Sequence, residues 1–182
     1  MNTIKILFFI LILFPACQRG EEIRYIPLSA FDKSFINYSE FEAVPFIHSN
    51  GFEFNLIVES KTISTRQSET KHPRDDYTTY EVLRCKLNSV EPELNIEISV
   101  MPKAYEPFLR ITVGDKGFFF NTQSPPDMDS IILNNTAYFD IFLLGSGVYD
   151  TTVIFPSGIL YTKEEGILLI KMSNNETFTI QK

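Results

Sequence analysis

The chain has 182 residues, of which 44% are hydrophobic and 21% charged, a composition that fits one globular domain and is too apolar for a disordered chain. Its formal net charge is −7; residues 1–16 hold Lys5 and no acid, so without them the charge is −8. An acidic chain with no Lys/Arg cluster repels phosphate backbones, which disfavours nucleic acid as a partner.

The first element in chain order is the apolar run Ile6–Phe14, preceded by a short N-terminus with one lysine. At ~1.5 Å per residue in a helix, this run falls well short of a ~30 Å hydrocarbon core, and its length matches the apolar region of a signal peptide. No run of ~18 apolar residues occurs elsewhere, so no membrane-spanning helix is expected. The run ends in Phe14-Pro15-Ala16-Cys17. This ending resembles a bacterial lipobox, in which the Cys becomes the first mature residue and is acylated. Ala16 fits the box, whereas Phe14 and Pro15 stand where an aliphatic and a small residue are usual. The resemblance implies a signal peptide over 1–16, lipid attachment at Cys17, a polar linker over 17–23 and a single β domain over 24–182; an uncleaved anchor or a misread start is the alternative. Gln18-Arg19-Gly20-Glu21-Glu22 is also similar to the surface-export signals of lipoproteins in Bacteroidota. Several acyl chains anchor stably where one is marginal, since each buried methylene contributes only ~0.8 kcal/mol.

Beyond the linker, Phe31, Phe35 and Tyr38 in "SAFDKSFINYSEF" lie at near-helical spacing, giving a short helix or an irregular lead-in. Period-2 alternation then dominates. Phe52, Phe54, Leu56 and Val58 point one way and Glu53, Asn55 and Glu59 the other; Leu94, Ile96, Ile98 and Val100 alternate with Asn95, Glu97 and Ser99. Turn signals separate the runs: Ser49-Asn50-Gly51, Val90-Glu91-Pro92-Glu93, Gly114-Asp115-Lys116-Gly117, Lys163-Glu164-Glu165-Gly166 and Ser173-Asn174-Asn175. "STRQSETKHPRDDYT" and "NTQSPPDMDS" read as loops. The fold predicted is mainly β, a single antiparallel meander of roughly nine to ten strands, curled into a barrel or half-barrel to hide its edges. A β-sandwich is the alternative.

Signals for chemistry are sparse. There is no HExxH, CxxC, phosphate-cradling loop or nucleophile elbow; the glycines flanking Ser146 have the wrong spacing. No cofactor and no metal site is expected. His48, beside a turn, and His72, in a polar loop, read as surface residues. Two cysteines make no disulfide framework, and Cys85 alternates in phase with Leu83 and Leu87, as a buried apolar residue would. Asp75-Asp76 and Asp127-Met128-Asp129 lack the calcium-loop pattern and read as solvated loop charge. Glu81 and Asp140 lie within strand patterns, where a carboxylate could face an interior, and are the polar positions to inspect for acid–base chemistry, although a rim position or an ordinary outward face is the reading preferred for each. Asp129-Ser130-Ile131 and Asp150-Thr151-Thr152 resemble the short O-glycosylation sequon of exported Bacteroidota proteins, which implies Ser130 and Thr151 as candidate sites. Asn37, Asn134 and Asn175 begin N-x-[ST] matches, which carry little meaning in a bacterial chain.

The whole layout resembles the small β-rich outer-membrane lipoproteins common in Bacteroidota. The likeness rests on Cys17, on "YEVLRCKLNS" and on the last hairpins, with Tyr161, Lys163 and Gly166 followed by the aliphatics of Ile167–Met172. It implies no activity. The curled meander is shared with lipocalins and half-barrel lipoprotein carriers, although the chain has no Trp for the lipocalin start. The function expected is a non-enzymatic cell-envelope lipoprotein: a β domain held at the outer membrane through Cys17, facing periplasm or cell surface, and acting as an accessory or interaction module for an envelope protein. The alternative is a binding protein for an apolar ligand such as a lipid.

Overall fold

A computed structural model describes residues 20–70, 72, 75–145 and 154–182. Residues 1–16, read above as a signal peptide, and Cys17, Ser146 and Thr151 lie outside the described residues. The elements are β1 (Glu22–Ile26), α1 (Ala30–Lys33), β2 (Ala43–His48), β3 (Glu53–Gln67), β4 (Tyr77–Ser89), β5 (Leu94–Val100), β6 (Phe108–Val113), β7 (Lys116–Asn121), β8 (Met128–Leu133), β9 (Thr136–Gly145), β10 (Pro156–Thr162), β11 (Gly166–Met172) and β12 (Thr177–Ile180). The described residues thus hold 12 strands, two more than the upper expectation. The additions are β1, which takes in Glu22 and Ile23 of the expected linker, and β8, which begins inside the stretch read as a loop. Among the described residues no helix is long and apolar enough to cross a membrane.

Alternation builds the strands as expected, except that Phe52, read as inward, precedes β3 and is exposed. Phe54, Leu56 and Val58 are buried and Glu53, Asn55, Ile57 and Glu59 exposed along β3; Leu94, Ile96, Ile98 and Val100 are buried along β5. The strands form one sheet in the order β7-β6-β5-β4-β3-β2-β12-β11-β10-β9-β8. Two antiparallel meanders, β2–β7 and β8–β12, are therefore joined where β12 pairs β2, Phe178 facing His48 and Ile180 facing Phe46. The exception is β1, which runs parallel to β4.

The connection from β7 to β8 forces the sheet to curl. These strands end the path on opposite sides, and laid flat at ~4.8 Å per strand they would stand ~48 Å apart. Residues 122–127 join them, and a link of that length reaches at most ~25 Å. The sheet accordingly bends until β7 approaches β9 and β10, with the Phe120 and Phe142 rings stacked 4.4 Å apart. The two edges do not hydrogen-bond, so the curled sheet remains open.

One end of the curl carries the turns at Ser49–Gly51, Val90–Glu93, Gly114–Asp115 and Ser173–Asn175; we call it the turn end. The other end is capped by the segment from Leu28 to Phe41. There α1 is a single turn closed by a capping box: Ser29 N–H and Oγ–H donate to Asp32 Oδ2 (2.8 and 2.6 Å), and Asp32 N–H donates to Ser29 Oγ. The second Asp32 oxygen accepts from Lys103 N–H at 2.8 Å, so a carboxylate only 1% exposed is fully engaged in structure. Phe35 then enters the mouth of the curl, 0% exposed, against Phe31, Phe120 and Phe142.

Hydrogen bonds seal this cap. The Tyr161 hydroxyl donates to Phe35 C=O, Lys61 Nζ donates to Ile36 C=O and Tyr38 C=O (both 2.9 Å), and Ile167 N–H donates to the Tyr38 hydroxyl at 2.7 Å. Burial pushes the Tyr38 and Tyr161 hydroxyls above their ordinary pKa, so both stay neutral. Gly166 makes room for Tyr38. Its φ is +76°, and a Cβ there would overlap the Tyr38 hydroxyl and come within 2.8 Å of ring carbon Cε2.

Candidate functional site

The two carboxylates singled out in the sequence do not meet. Glu81 lies on β4 beyond its pairing with β5, on the side of the strand that faces the interior farther along, and so occupies the rim. It is already committed: the Tyr25 hydroxyl donates to Oε1 at 2.6 Å and Leu28 N–H to Oε2 at 2.9 Å. These two donors hold its carboxyl below the usual range and raise the Tyr25 hydroxyl. A carboxylate so stabilised in its charged form is a poor proton carrier near neutral pH. Its role is to pin β1 and the cap to β4.

Asp140 sits in β9 with φ +55°. In a regular strand its side chain would share the inward face of Tyr138 and Phe142. The left-handed backbone turns it out instead, leaving Phe139 and Asp140 exposed and Ile141 and Phe142 buried. Asp140 therefore faces solvent, on an outward position. Asp is among the few non-glycine residues that tolerate this conformation, which accounts for its presence at the kink.

The other candidates separate in the same way. Cys85 is buried and free, and burial pushes its thiol up to about 11, which makes it an inert core residue. His72 is exposed, as expected. His48 is not a plain surface residue: its side chain is 14% exposed, its ring packs 5.0 Å from Phe178, and its Nε2 lies 3.8 Å from Glu176. The loop acids serve the backbone. Asp76 accepts from Glu21 N–H, Asp75 from His72 N–H and Asp127 from Leu143 N–H. Ser130 is exposed on β8 opposite Phe139. Among the described residues no group of three His, Cys, Asp or Glu side chains is placed to hold a metal ion.

Open space lies at the turn end and, in a cleft of about 610 Å³ between Pro45, Ile47, Asn134 and Gln181, beside the β8–β9 turn. At the turn end, one cleft of about 520 Å³ runs from Leu94 and Val113 across to Phe155, Pro156 and Met172. A second, of about 450 Å³, is walled by His48, Phe52, Pro92 and Phe178, with Glu91 and Glu176 at its edge. Val90, 93% exposed, Phe52 and Ile154 stand around them. Sequence patterning missed this surface because its residues come from four turns distant in the chain; the one local hint was an apolar Val90 in a turn. Such a surface can bind by shape and apolar contact, but among the described residues it brings together no nucleophile and base. No protein-family model, curated protein or solved structure matches the chain.

Proposed function

We propose that the chain is a non-enzymatic cell-envelope lipoprotein, acylated at Cys17 and held at a bacterial outer membrane, whose β domain serves as an accessory module for another envelope protein. The observation that carries the module reading is the filled interior. Phe35, Phe46, Phe118, Ile141 and Tyr161 are buried to 1% exposure or less, so the curl encloses side chains, and apolar surface is offered outside, at the turn end. The lipid anchor is supported by the short apolar run that ends in Phe14-Pro15-Ala16-Cys17. Mass spectrometry of the N-terminus of protein taken from the membrane fraction tests it. The expected result is a chain starting at Cys17 and carrying acyl mass; an unmodified chain starting elsewhere would overturn the reading. A second reading, an apolar ligand such as a lipid, is favoured by the cleft lined with Leu94, Val113, Phe155 and Met172. A lipid recovered in stoichiometric amount from natively purified protein would support it over the first.

A further inference from the structure

The hairpin of β3 and β4 is longer than the sheet that holds it. β2 pairs β3 only up to Ile57, and β5 pairs β4 only from Leu83 to Ser89. The ladder between β3 and β4 nevertheless continues to Gln67 facing Thr79. Tyr77–Val82 and their β3 partners therefore project as an arm ~15–20 Å long, at ~3.3 Å per residue. One further strand supports the arm: β1 pairs in parallel with Tyr77–Tyr80, and Ile26 packs with Tyr80 and Val82.

The chain is fixed to this arm as far toward the N-terminus as Gly20. Tyr77 N–H donates to Glu21 C=O and Glu21 N–H donates to Asp76 Oδ1, both at 3.0 Å. Gly20 lies so close to the backbone of Asp75 that a Cβ would overlap its carbonyl oxygen. Cys17 is three residues from Gly20, and three residues reach at most ~11 Å in any conformation. The headgroup layer of one leaflet is itself ~5–8 Å deep. An acyl chain on Cys17 thus cannot hold the domain at an arbitrary orientation.

We infer that the end of the β3–β4 arm is the membrane-contacting element, seated in the lipid headgroup layer, and that the domain stands on it with both turn-end clefts facing away from the bilayer. The inference rests on the acylation of Cys17 proposed above. Strand direction supplies the second half of it: β3 starts at the turn end and finishes in the arm, so 15 residues of strand put the clefts roughly 50 Å from the arm's end. A partner protein would accordingly be met by the turn end, at a fixed height above the membrane.

The test uses the full lipidated chain in vesicles of phosphatidylethanolamine and phosphatidylglycerol. A fluorophore is placed at Glu69→Cys on the arm or at Val90→Cys at the turn end, both exposed, and the quencher is carried on the lipid headgroups. The expected result is loss of the Glu69→Cys signal with the Val90→Cys signal unchanged. A Gly/Ser insertion between Cys17 and Gly20 that doubles the reach should then weaken quenching at Glu69→Cys while the protein still floats with the vesicles. Equal quenching at both sites, or stronger quenching at Val90→Cys, in protein that carries acyl mass and floats would overturn the inference and leave the lipoprotein reading intact. Protein that neither carries acyl mass nor floats would overturn both.

Discussion

Replacing Phe35 by Ala tests whether the curl is a packed core or a vessel. The ring is fully buried, 5.3 Å from Phe31 edge-on, 5.9 Å from Phe120 and 6.4 Å from Phe142, with Lys163 Nζ 4.2 Å above it. The backbone carbonyl that accepts from Tyr161 remains in the variant, so the change isolates packing from hydrogen bonding. Truncating a buried Phe to Ala costs ~3–5 kcal/mol, through lost transfer energy and the cavity left behind. The surrounding rings are themselves rigid and close the hole poorly, which puts the expectation in that range. For a domain of this size each kcal/mol moves Tm by ~2–4 °C, so a drop of roughly 6–20 °C is expected. Urea unfolding and thermal melts read the loss, and benzene titration reads the cavity: the variant should bind it and be stabilised by it, the parent protein should not. Phe31→Ala, at a ring 38% exposed, is the control and should lose much less. A Phe35→Ala loss under ~1 kcal/mol, or benzene binding by the parent protein, would refute the packed core and favour an apolar-ligand vessel.

Three further outcomes follow from the geometry. Gly51→Ala and Gly166→Ala share a left-handed backbone, but only Gly166 abuts Tyr38. Gly51→Ala should cost ~1–2 kcal/mol, and Gly166→Ala at least ~1–3 kcal/mol more by displacing the Tyr38–Ile167 hydrogen bond; equal urea midpoints would refute the steric role. Glu81 titrates below its ordinary value when folded, so its stabilisation is present above the unfolded pKa of ~4.3 and disappears as pH falls through the folded value. The stability gap between the parent protein and Glu81→Gln should therefore be widest near neutral pH and close on acidification; a gap constant from pH 7 to pH 3 would sink the assignment. Finally, the Cys85 thiol, buried and pushed up to about 11, should resist iodoacetamide in the native protein at neutral pH and react at the rate of unfolding; prompt stoichiometric labelling would contradict its place in the core.

Local patterning made most of the strands legible. A period of two in side-chain direction needs no knowledge of the partner strand, and a short Gly-containing turn between alternating runs specifies a hairpin by itself, so β2–β3 and β10–β11 could be read directly. Cys85 was legible for the same reason: its phase with Leu83 and Leu87 sets its face. The kink at Asp140 was not, because a positive φ takes this one side chain off the inward face that Tyr138, Phe142 and Leu144 share, and nothing in "YFDIF" announces it. Nor was the role of Glu81, whose donors Tyr25 and Leu28 sit more than fifty positions away. β1 escaped because a short charged segment reads as linker unless a neighbouring strand's free edge is known to be waiting for it.

What the sequence alone determined was the material of this protein: acidic, built of hairpins, with a named inward set of side chains. Tertiary structure alone decided which distant strands meet. Backbone donors and acceptors are the same on every strand, so the pairing of β12 with β2, across 130 residues from His48 to Phe178, is not encoded in any local signal. That pairing sets β7 and β8 at opposite sides of one sheet, and the link between them, too short for a flat sheet, then forces the curl. The same closure gives Phe35 a mouth to fill, leaves the β3–β4 arm standing out beyond the sheet, and sets the chain leading to Cys17 at the end of that arm.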